Sequence, residues 1–393
     1  MPACTAPSTR RRPRPRADGA TVKILHTSSA TDWGGAQIRM ITEAAGLIAR
    51  GHEVAIACPP GAPAGARAAG YGVPVLQLAA GPGLGRDGVA ARLAALRAAR
   101  RLVADGGFDV LVAHGPVDNW LMALARASLR RAPPIVRIHH ASASLPRGPA
   151  SRWLYTRAAA RVVTGSEAIR QMLVRDQGFD GRRIVSVPTG IDLGHFRPGD
   201  RARARQALGL PEDDLPVIGI VASLRRAKGH HLLIDAVAGL PMPVRVLVIG
   251  DGAQRAALEK QADATLPPGR VLFAGSQADV LPWLQALDAF VLPTLHEGIP
   301  QSLSQAMGAG LCCVTTPVGG IPEIATDGES ALFVAPGDVA ALRAGIERVL
   351  GDAALRERLG RRAREAALER CSIEAMLDRM ERLFAEVAAE AAP

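Results

Sequence analysis

The chain has 393 residues, with 47 Lys and Arg against 37 Asp and Glu for a net charge of +10, 48% apolar residues, 3% aromatics and five cysteines. That length exceeds what one core ordinarily serves, so two domains are expected. The apolar share is too high for a disordered chain, and no window reaches the roughly 18 uninterrupted apolar residues of a membrane-spanning helix.

Residues 1–20 combine Arg and Pro without an apolar run behind them, which predicts a disordered basic arm rather than a secretory or twin-arginine signal. Short apolar runs then alternate with amphipathic stretches: KILH, EVAIAC, DVLVAHG, PIVRIHH and RVVTGS, with helices expected around 36–50, 89–104, 119–127 and 150–160. Such alternation predicts βαβ crossovers and a parallel sheet covered on both faces. The rhythm breaks at Val185 to Asp192 and stays polar to Asp214.

A second series follows: PVIGIVAS, VRVLVIG, RVLFAG, AFVLPT and LCCVTT, with helices expected around 229–238, 254–263, 280–287 and 302–309 and three more at the end. The expected organisation is a first domain over 21–192, a linker over 193–215, a second domain over 216–370 and a final helical segment, 371–393, returning to the first domain. The predicted fold class is α/β, two Rossmann-like doubly wound domains facing across a cleft, with ligands at the C-terminal ends of the strands.

Charge is divided unevenly: residues 1–196 carry 26 Lys and Arg against 12 Asp and Glu, and residues 197–393 carry 21 against 25. A basic half beside an acidic one suggests an anionic partner for the first, either a membrane surface or a phosphorylated ligand. No nucleic acid is expected, because aromatics are scarce and no helix-turn-helix, zinc-finger or RNA-binding signature is present. Cys4, Cys58, Cys312, Cys313 and Cys371 form no CxxC pair and no Cys/His cluster, an arrangement that fits a reducing cytoplasm.

Three stretches carry candidate chemistry. Gly34 and Gly35 stand between the first strand and its helix, where backbone N–H groups can approach a phosphate, although a simple tight turn reads the same way. Arg225, Arg226 and Lys228 close a strand and open a helix in the second half, which suits neutralisation of a diphosphate without metal. Glu297 occupies the loop of Leu292-Pro-Thr-Leu-His-Glu-Gly-Ile-Pro-Gln-Ser; it can accept hydrogen bonds from a sugar or merely complement the dipole of the following helix.

Taken together, Asp32-Trp-Gly-Gly-Ala-Gln37, Pro188-Thr-Gly-Ile-Asp192, Lys228-Gly229, Gly250-Asp-Gly252, the Glu297-Gly-Ile-Pro loop and Gly319-Gly-Ile-Pro-Glu323 resemble, in order, the motifs of family 4 glycosyltransferases. These are retaining, nucleotide-sugar-dependent enzymes of the GT-B fold. Pro134-Ile-Val-Arg-Ile-His-His140 is similar to the branch that builds lipopolysaccharide and other cell-surface glycans. The resemblance implies that His140 meets the donor sugar, with His139 as the competing candidate, that Lys228 binds the diphosphate, and that Glu297 holds the transferred sugar. It further assigns Gly34, Gly35, Gly298, Ile299, Pro300, Gln301 and Glu323 to donor binding.

Three positions depart from the family pattern. Gln305 replaces the second acid of the Glu, seven residues, Glu spacing, so an acceptor is kept but the charge is lost. Ser223 stands where an arginine is usual, with Arg225 two residues later, and Gln37 replaces a glutamate. No DxD motif stands at a strand end, and Asp213-Asp214 falls in the expected linker, so no metal is expected; no resident cofactor is expected, and the resemblance implies the nucleotide-diphosphate sugar as co-substrate and a glycan or lipid-linked acceptor. A nucleotide-sugar epimerase of the same architecture and a degenerate, non-catalytic binder are the alternatives. Arg86, Arg92, Arg97, Arg100 and Arg101 cluster on or beside one helix, which is expected to pack Val89, Leu93, Leu96 and Val103 on the sheet and leave the arginines able to face anionic lipid at the inner side of the membrane.

Overall fold

The computed structural model describes residues 21–32, 34–78, 88–140 and 148–391, so the expected basic arm, Trp33 and Arg86 lie outside the described residues. The chain forms two compact units: one spans Ile191–Ser372, and the other takes the described residues through Gly190 together with the segment from Ile373 onward. Each unit is built on its own parallel sheet.

The sheet of the first unit contains β1 (Lys23–Thr27), β2 (Glu53–Cys58), β3 (Val75–Gln77), β4 (Val110–Ala113), β5 (Ile135–His139), β6 (Arg161–Thr164) and β7 (Ile184–Ser186). Its strand order is β3-β2-β1-β4-β5-β6-β7. The chain winds outward from β1 to β3, returns to β4 beside β1, and then winds the other way, so the order reverses between β1 and β4. Central strands read as unbroken apolar runs because both faces are covered. One face packs Met40, Ile41, Leu47 and the last helix, and the other packs Ala95, Ala99, Met122 and Leu154.

The last helix, Ile373–Ala391, lies against the helix Gly35–Ala49 through Met376, Leu377, Met380 and Phe384, and Gly46 leaves room for Leu377. Arg50 ties the two helices at their rim, reaching Glu374 at 2.5 Å, Asp378 at 2.7 Å and Glu381 at 3.0 Å.

The other unit repeats the design with β8 (Val217–Val221), β9 (Arg245–Ile249), β10 (Val271–Gly275), β11 (Ala289–Leu292), β12 (Cys312–Thr315) and β13 (Leu332–Phe333). The order β10-β9-β8-β11-β12-β13 reverses between β8 and β11. The stretch expected as a linker is folded into this unit. Arg201–Ala207 is helical, and Arg205 donates to Asp288 at 2.7 Å. The Arg364 guanidinium donates to the carbonyls of Leu193 at 2.9 Å and Phe196 at 2.6 Å.

Two expectations need correction. The segment expected as one helix around 150–160 is a short α-helix, Pro149–Trp153, continued by a π-helical turn, Leu154–Ala158. In the helix Val89–Gly106, the line that faces the protein is Ala95, Ala99 and Val103. Val89 and Leu93 are 73% and 45% exposed. Small alanines allow the neighbouring helix, Pro116–Ala127, to approach closely, and this contact begins more than a turn into the helix, so its apolar first turn projects beyond it.

Candidate functional site

Each unit gathers its chemistry where its strand order reverses, the position at which open parallel sheets present a crevice. In the unit Ile191–Ser372 this point lies beyond the ends of β8 and β11. The chain leaves β8 through Ser223 and Arg225, both exposed, makes a single 3-10 turn over Arg226–Lys228, and enters the helix His230–Ala238. From β11 it runs through Thr294 to Glu297, and the Lys228 ammonium forms an ion pair with the Glu297 carboxylate.

Three contacts make that pairing a property of the backbone. Leu295 N–H donates to the Ala227 carbonyl at 2.8 Å, and the buried Thr294 hydroxyl donates to the same carbonyl at 3.0 Å. Gly229, at φ +76, lies so close to Pro293 that a Cβ would meet its carbonyl oxygen at 2.1 Å. Only glycine fits there, because the left-handed backbone and the close approach are both required.

The loop after Glu297 is held from below by the turn Gly319-Gly320, whose Gly320 N–H donates to the Gly298 carbonyl at 2.7 Å. Gly298 and Ile299 are partly exposed and Pro300 is buried. The following helix is Gln301–Gly308, opening one residue earlier than expected, with Pro300 as its N-cap. Gln305 is one turn beyond Gln301 on the same helix face, and both are partly exposed. Glu323 lies in the first turn of the short helix Ile321–Ile324, with its N–H donating to the Gly320 carbonyl at 3.1 Å. Ser223 and Arg225 thus belong to the β8 end, and Glu297, Gly298, Ile299, Pro300, Gln301, Gln305 and Glu323 to the β11 end.

In the first unit, Gly34 caps the helix Gly35–Ala49 with an extended φ of −170. Among the described residues beyond its chain neighbours, an added Cβ at Gly34 would find Gln37 Oε1 first, at 3.6 Å. Its turn therefore does not require glycine, and the side-chain-free surface is the feature that remains.

The two histidines that end β5 part company. His139 is buried and its Nδ1 meets the Tyr155 hydroxyl at 2.9 Å, while Arg137 lies over the Tyr155 ring at 4.4 Å. His140, half-buried, places Nε2 3.2 Å from His114 Nδ1, with the two rings stacked at 5.4 Å. His114 Nε2 is in turn 2.9 Å from His26 Nδ1. Burial pushes the pKa of His26 and of His140 down to about 3 and that of His114 well below the usual range.

Beneath this row, buried Asp118 joins β1 to β4. It accepts from the Thr27 and Ser29 hydroxyls at 3.1 and 2.8 Å and from the N–H groups of Ser29, His114 and Gly115 at 3.0, 3.1 and 3.1 Å. Burial raises its pKa, and these donors act against the rise.

Sequence reasoning passed over His26, His114, Asp118 and the buried pair Arg39 and Glu43. A signal existed for the histidines: KILH, LVAH and IVRIHH each end an apolar strand run with histidine, and in a parallel sheet such ends lie on one edge. Asp118 had none, since an acid in the first turn of a helix is common. Among the described residues no cluster of three His, Cys, Asp or Glu side chains is arranged to hold a metal ion.

Comparison with known proteins places this geometry. The family described as Glycosyltransferase Family 4 matches residues 33–195, and Glycosyl transferases group 1 matches residues 200–366. A lipopolysaccharide core biosynthesis glycosyltransferase, LpsE of Rhizobium meliloti, is 34% identical over 236 residues, 60% of this chain and 67% of that protein. A D-inositol 3-phosphate glycosyltransferase of Mycobacterium bovis is 30% identical over 360 residues, 83% of this chain and 74% of that one. Among solved structures, Anabaena HepE in complex with UDP and glucose superposes with a TM-score of 0.81 at 20% identity, covering 93% of this chain and all 100% of its own. The two Rossmann-like units are those of the GT-B fold, and the chain belongs to glycosyltransferase family 4.

Proposed function

We propose that this glycosyltransferase takes a sugar from a nucleotide-diphosphate donor and passes it, with retained anomeric configuration, to a hydroxyl of a glycan or lipid-linked acceptor in the synthesis of bacterial lipopolysaccharide or another cell-surface polysaccharide. The observation that carries the reading is the Lys228–Glu297 ion pair at the reversal of the second sheet. A cation and an acid held together by backbone contacts suit the two ends of a sugar diphosphate: the ammonium for the phosphate, the carboxylate for sugar hydroxyls. The lipopolysaccharide function of the Rhizobium relative and the UDP and glucose held by the Anabaena neighbour support the same donor and acceptor classes.

In this reaction the bond from the anomeric carbon to the diphosphate oxygen breaks and its electron pair leaves with the diphosphate. The acceptor oxygen forms the new bond to that carbon, and its proton passes to the released diphosphate. Charge grows on the leaving phosphate as the sugar becomes oxocarbenium-like, so a preorganised cation has its largest effect there. Lys228 is that cation, assisted by Arg225, and Glu297 with the N–H groups of Gly298, Ile299 and Gln301 orients the sugar. Gln305 accepts from the ribose in place of a carboxylate, and His140 is assigned to the donor sugar on the family resemblance. No metal is assigned a role, because Lys228 and Arg225 supply the positive charge.

The acceptor side is assigned to the first unit. Arg92, Arg97, Arg100 and Arg101 line one exposed helix that also exposes Val89 and Leu93, a mixture suited to an anionic lipid surface, with each arginine worth about 1 kcal/mol near it. No described helix is long and apolar enough to cross a membrane. A screen of nucleotide sugars by released nucleotide, with and without acceptor, tests the reading: release dependent on an acceptor supports transfer, whereas conversion of the donor sugar without one indicates an epimerase. Binding of nucleotide diphosphate with no turnover on any donor indicates a non-catalytic binder.

A further inference from the structure

His26 lies near the end of β1, and His114 and His140 directly follow the adjacent strands β4 and β5; their rings form a continuous row, Nδ1 of one facing Nε2 of the next at 2.9 and 3.2 Å. Behind the row lies Glu43, fully buried, with its Oε1 4.0 Å from His26 Nε2 and its Oε2 3.5 Å from Arg39 Nε. Sugar transfer needs none of this buried charge directly. We propose that Glu43, acting through His26 and His114, fixes which nitrogen of His140 carries the proton, holding it as the Nε2–H tautomer with Nδ1 as the hydrogen-bond acceptor.

The polarity follows from valence. A neutral imidazole has one N–H and one lone pair, so each contact in the row must be donor to acceptor, and setting one ring sets all three. His26 Nε2 has no hydrogen-bond partner among the described residues. A lone pair there would face a carboxylate, whereas an N–H is attracted to it. With the proton on His26 Nε2, its Nδ1 accepts from His114 Nε2–H, and His114 Nδ1 accepts from His140 Nε2–H.

Burial keeps His26 and His140 neutral down to about pH 3, so one proton per ring is the rule at neutral pH. The other charged or titratable groups around the row are Arg39, Arg137, His139 and, beneath it, Asp118, which accepts from the His114 backbone N–H rather than from a ring; the cations oppose a second proton on any ring. Arg39 also sustains the Glu43 charge against the burial that raises its pKa. Arg39 is itself fastened by donation to the Val187 carbonyl at 2.6 Å.

Glu43, His26 and His114 are thus positioning residues. The inference rests on the reading of His140 as the residue that meets the transferred sugar, for which a fixed lone pair selects a hydroxyl donor. The test is ring-15N histidine NMR on the full chain at neutral pH, with His140 assigned by its absence in His140→Gln. The expected wild-type result is a single tautomer with Nε2 protonated and Nδ1 bare. In Glu43→Gln, whose amide can face His26 either way, and in His26→Phe, which packs against Phe384 but cannot accept from His114, His140 shows both tautomers. The kcat for transfer then falls about tenfold, with donor KM within about twofold.

A proton on His140 Nδ1 in the wild type overturns the proposal, as does an unchanged tautomer in either variant that retains its circular dichroism. The wild-type spectrum decides even if both variants fail to fold. A fixed Nε2–H in an enzyme indifferent to the His140→Gln change supports the histidine row while refuting the sugar-contact reading, so the two fail separately.

Discussion

Gly319 lies directly against the backbone of Glu297: a Cβ at Gly319 would stand 1.8 Å from the Glu297 carbonyl oxygen. The position of the loop acid is therefore set by a glycine 22 residues later in the sequence. Gly319 also has φ +59, which costs a side-chain-bearing residue roughly 1–2 kcal/mol on its own. Gly319→Ala is expected to push the Glu297 loop out of place and lower transfer by about 100-fold, with a lowered melting temperature. Wild-type turnover in a folded Gly319→Ala protein would show that the loop position is immaterial.

Gly34 makes the opposite prediction. Its extended backbone and open surroundings accept alanine without strain, so Gly34→Ala is expected to leave the melting temperature unchanged. Donor KM or acceptor KM should nevertheless rise, since a methyl group would stand where substrate approaches the helix start. Unaltered kinetics would place Gly34 outside the substrate surface.

Lys228→Ala removes the cation facing the leaving phosphate, and about 3 kcal/mol of barrier, roughly 100-fold in kcat, is expected from such a deletion. Lys228 is partly exposed while the Glu297 side chain is 10% exposed, so losing the cation should lower the melting temperature modestly without unfolding the protein. Glu297→Gln keeps the shape and loses the charge, so kcat should fall while nucleotide-diphosphate binding, followed by thermal shift, persists. Equal loss of both would assign Glu297 to the fold rather than to the sugar.

Acid should destabilise the first unit through its buried histidines. Their folded pKa values are depressed, to about 3 for His26 and His140, while the unfolded chain protonates near the ordinary 6.5. Between those limits the unfolded state binds more protons, so stability falls as pH drops below about 6.5, by ~1.4 kcal/mol per pH unit for each such histidine. Urea titrations between pH 7 and pH 5 should show this slope, and His114→Gln should remove about one proton from it. A flat profile would mean that the row titrates normally.

The last helix is a fixed part of the first unit. Phe384, 1% exposed, packs edge-on to His26 with ring centroids 6.4 Å apart. Phe384→Ala is expected to cost about 3–5 kcal/mol, read by chemical denaturation, and to loosen the histidine row it supports. Loss below about 1 kcal/mol would indicate that the helix is dispensable.

Sequence reasoning found every central strand, from KILH at β1 to CCVT at β12, and one five-residue edge strand, β10. Those it missed, β3, β7 and β13, are edges in the two sheets. Central strands are buried on both faces and so appear as apolar runs; edge strands of two or three residues have one neighbour and need no such run. The helix Pro63–Gly70 escaped for a related reason, its Ala and Gly giving little periodic contrast. The helix Val89–Gly106 was found, and Leu96 and Val103 pack inward as expected, whereas Val89 and Leu93 are exposed.

The site divides in the same way. Lys228, Glu297 and His140 were singled out because each lies in the loop that follows an apolar strand run and falls on a motif of the family resemblance, and strand ends are a local property of sequence. The choice of His140 over His139 was not legible, because adjacent residues on a strand point to opposite faces and only the packing shows that Tyr155 occupies one and His114 the other. The row of three histidines joins residues 26, 114 and 140 with Glu43 behind them, brought together because β1 and β4 meet at the reversal of strand order. Length, composition and periodicity determined two parallel α/β units, a basic first half and the strand ends where chemistry would lie. Which of those ends adjoin, and so which buried charges face one another, follows from the order of strands across the sheet, a long-range relation that no local pattern of residues encodes.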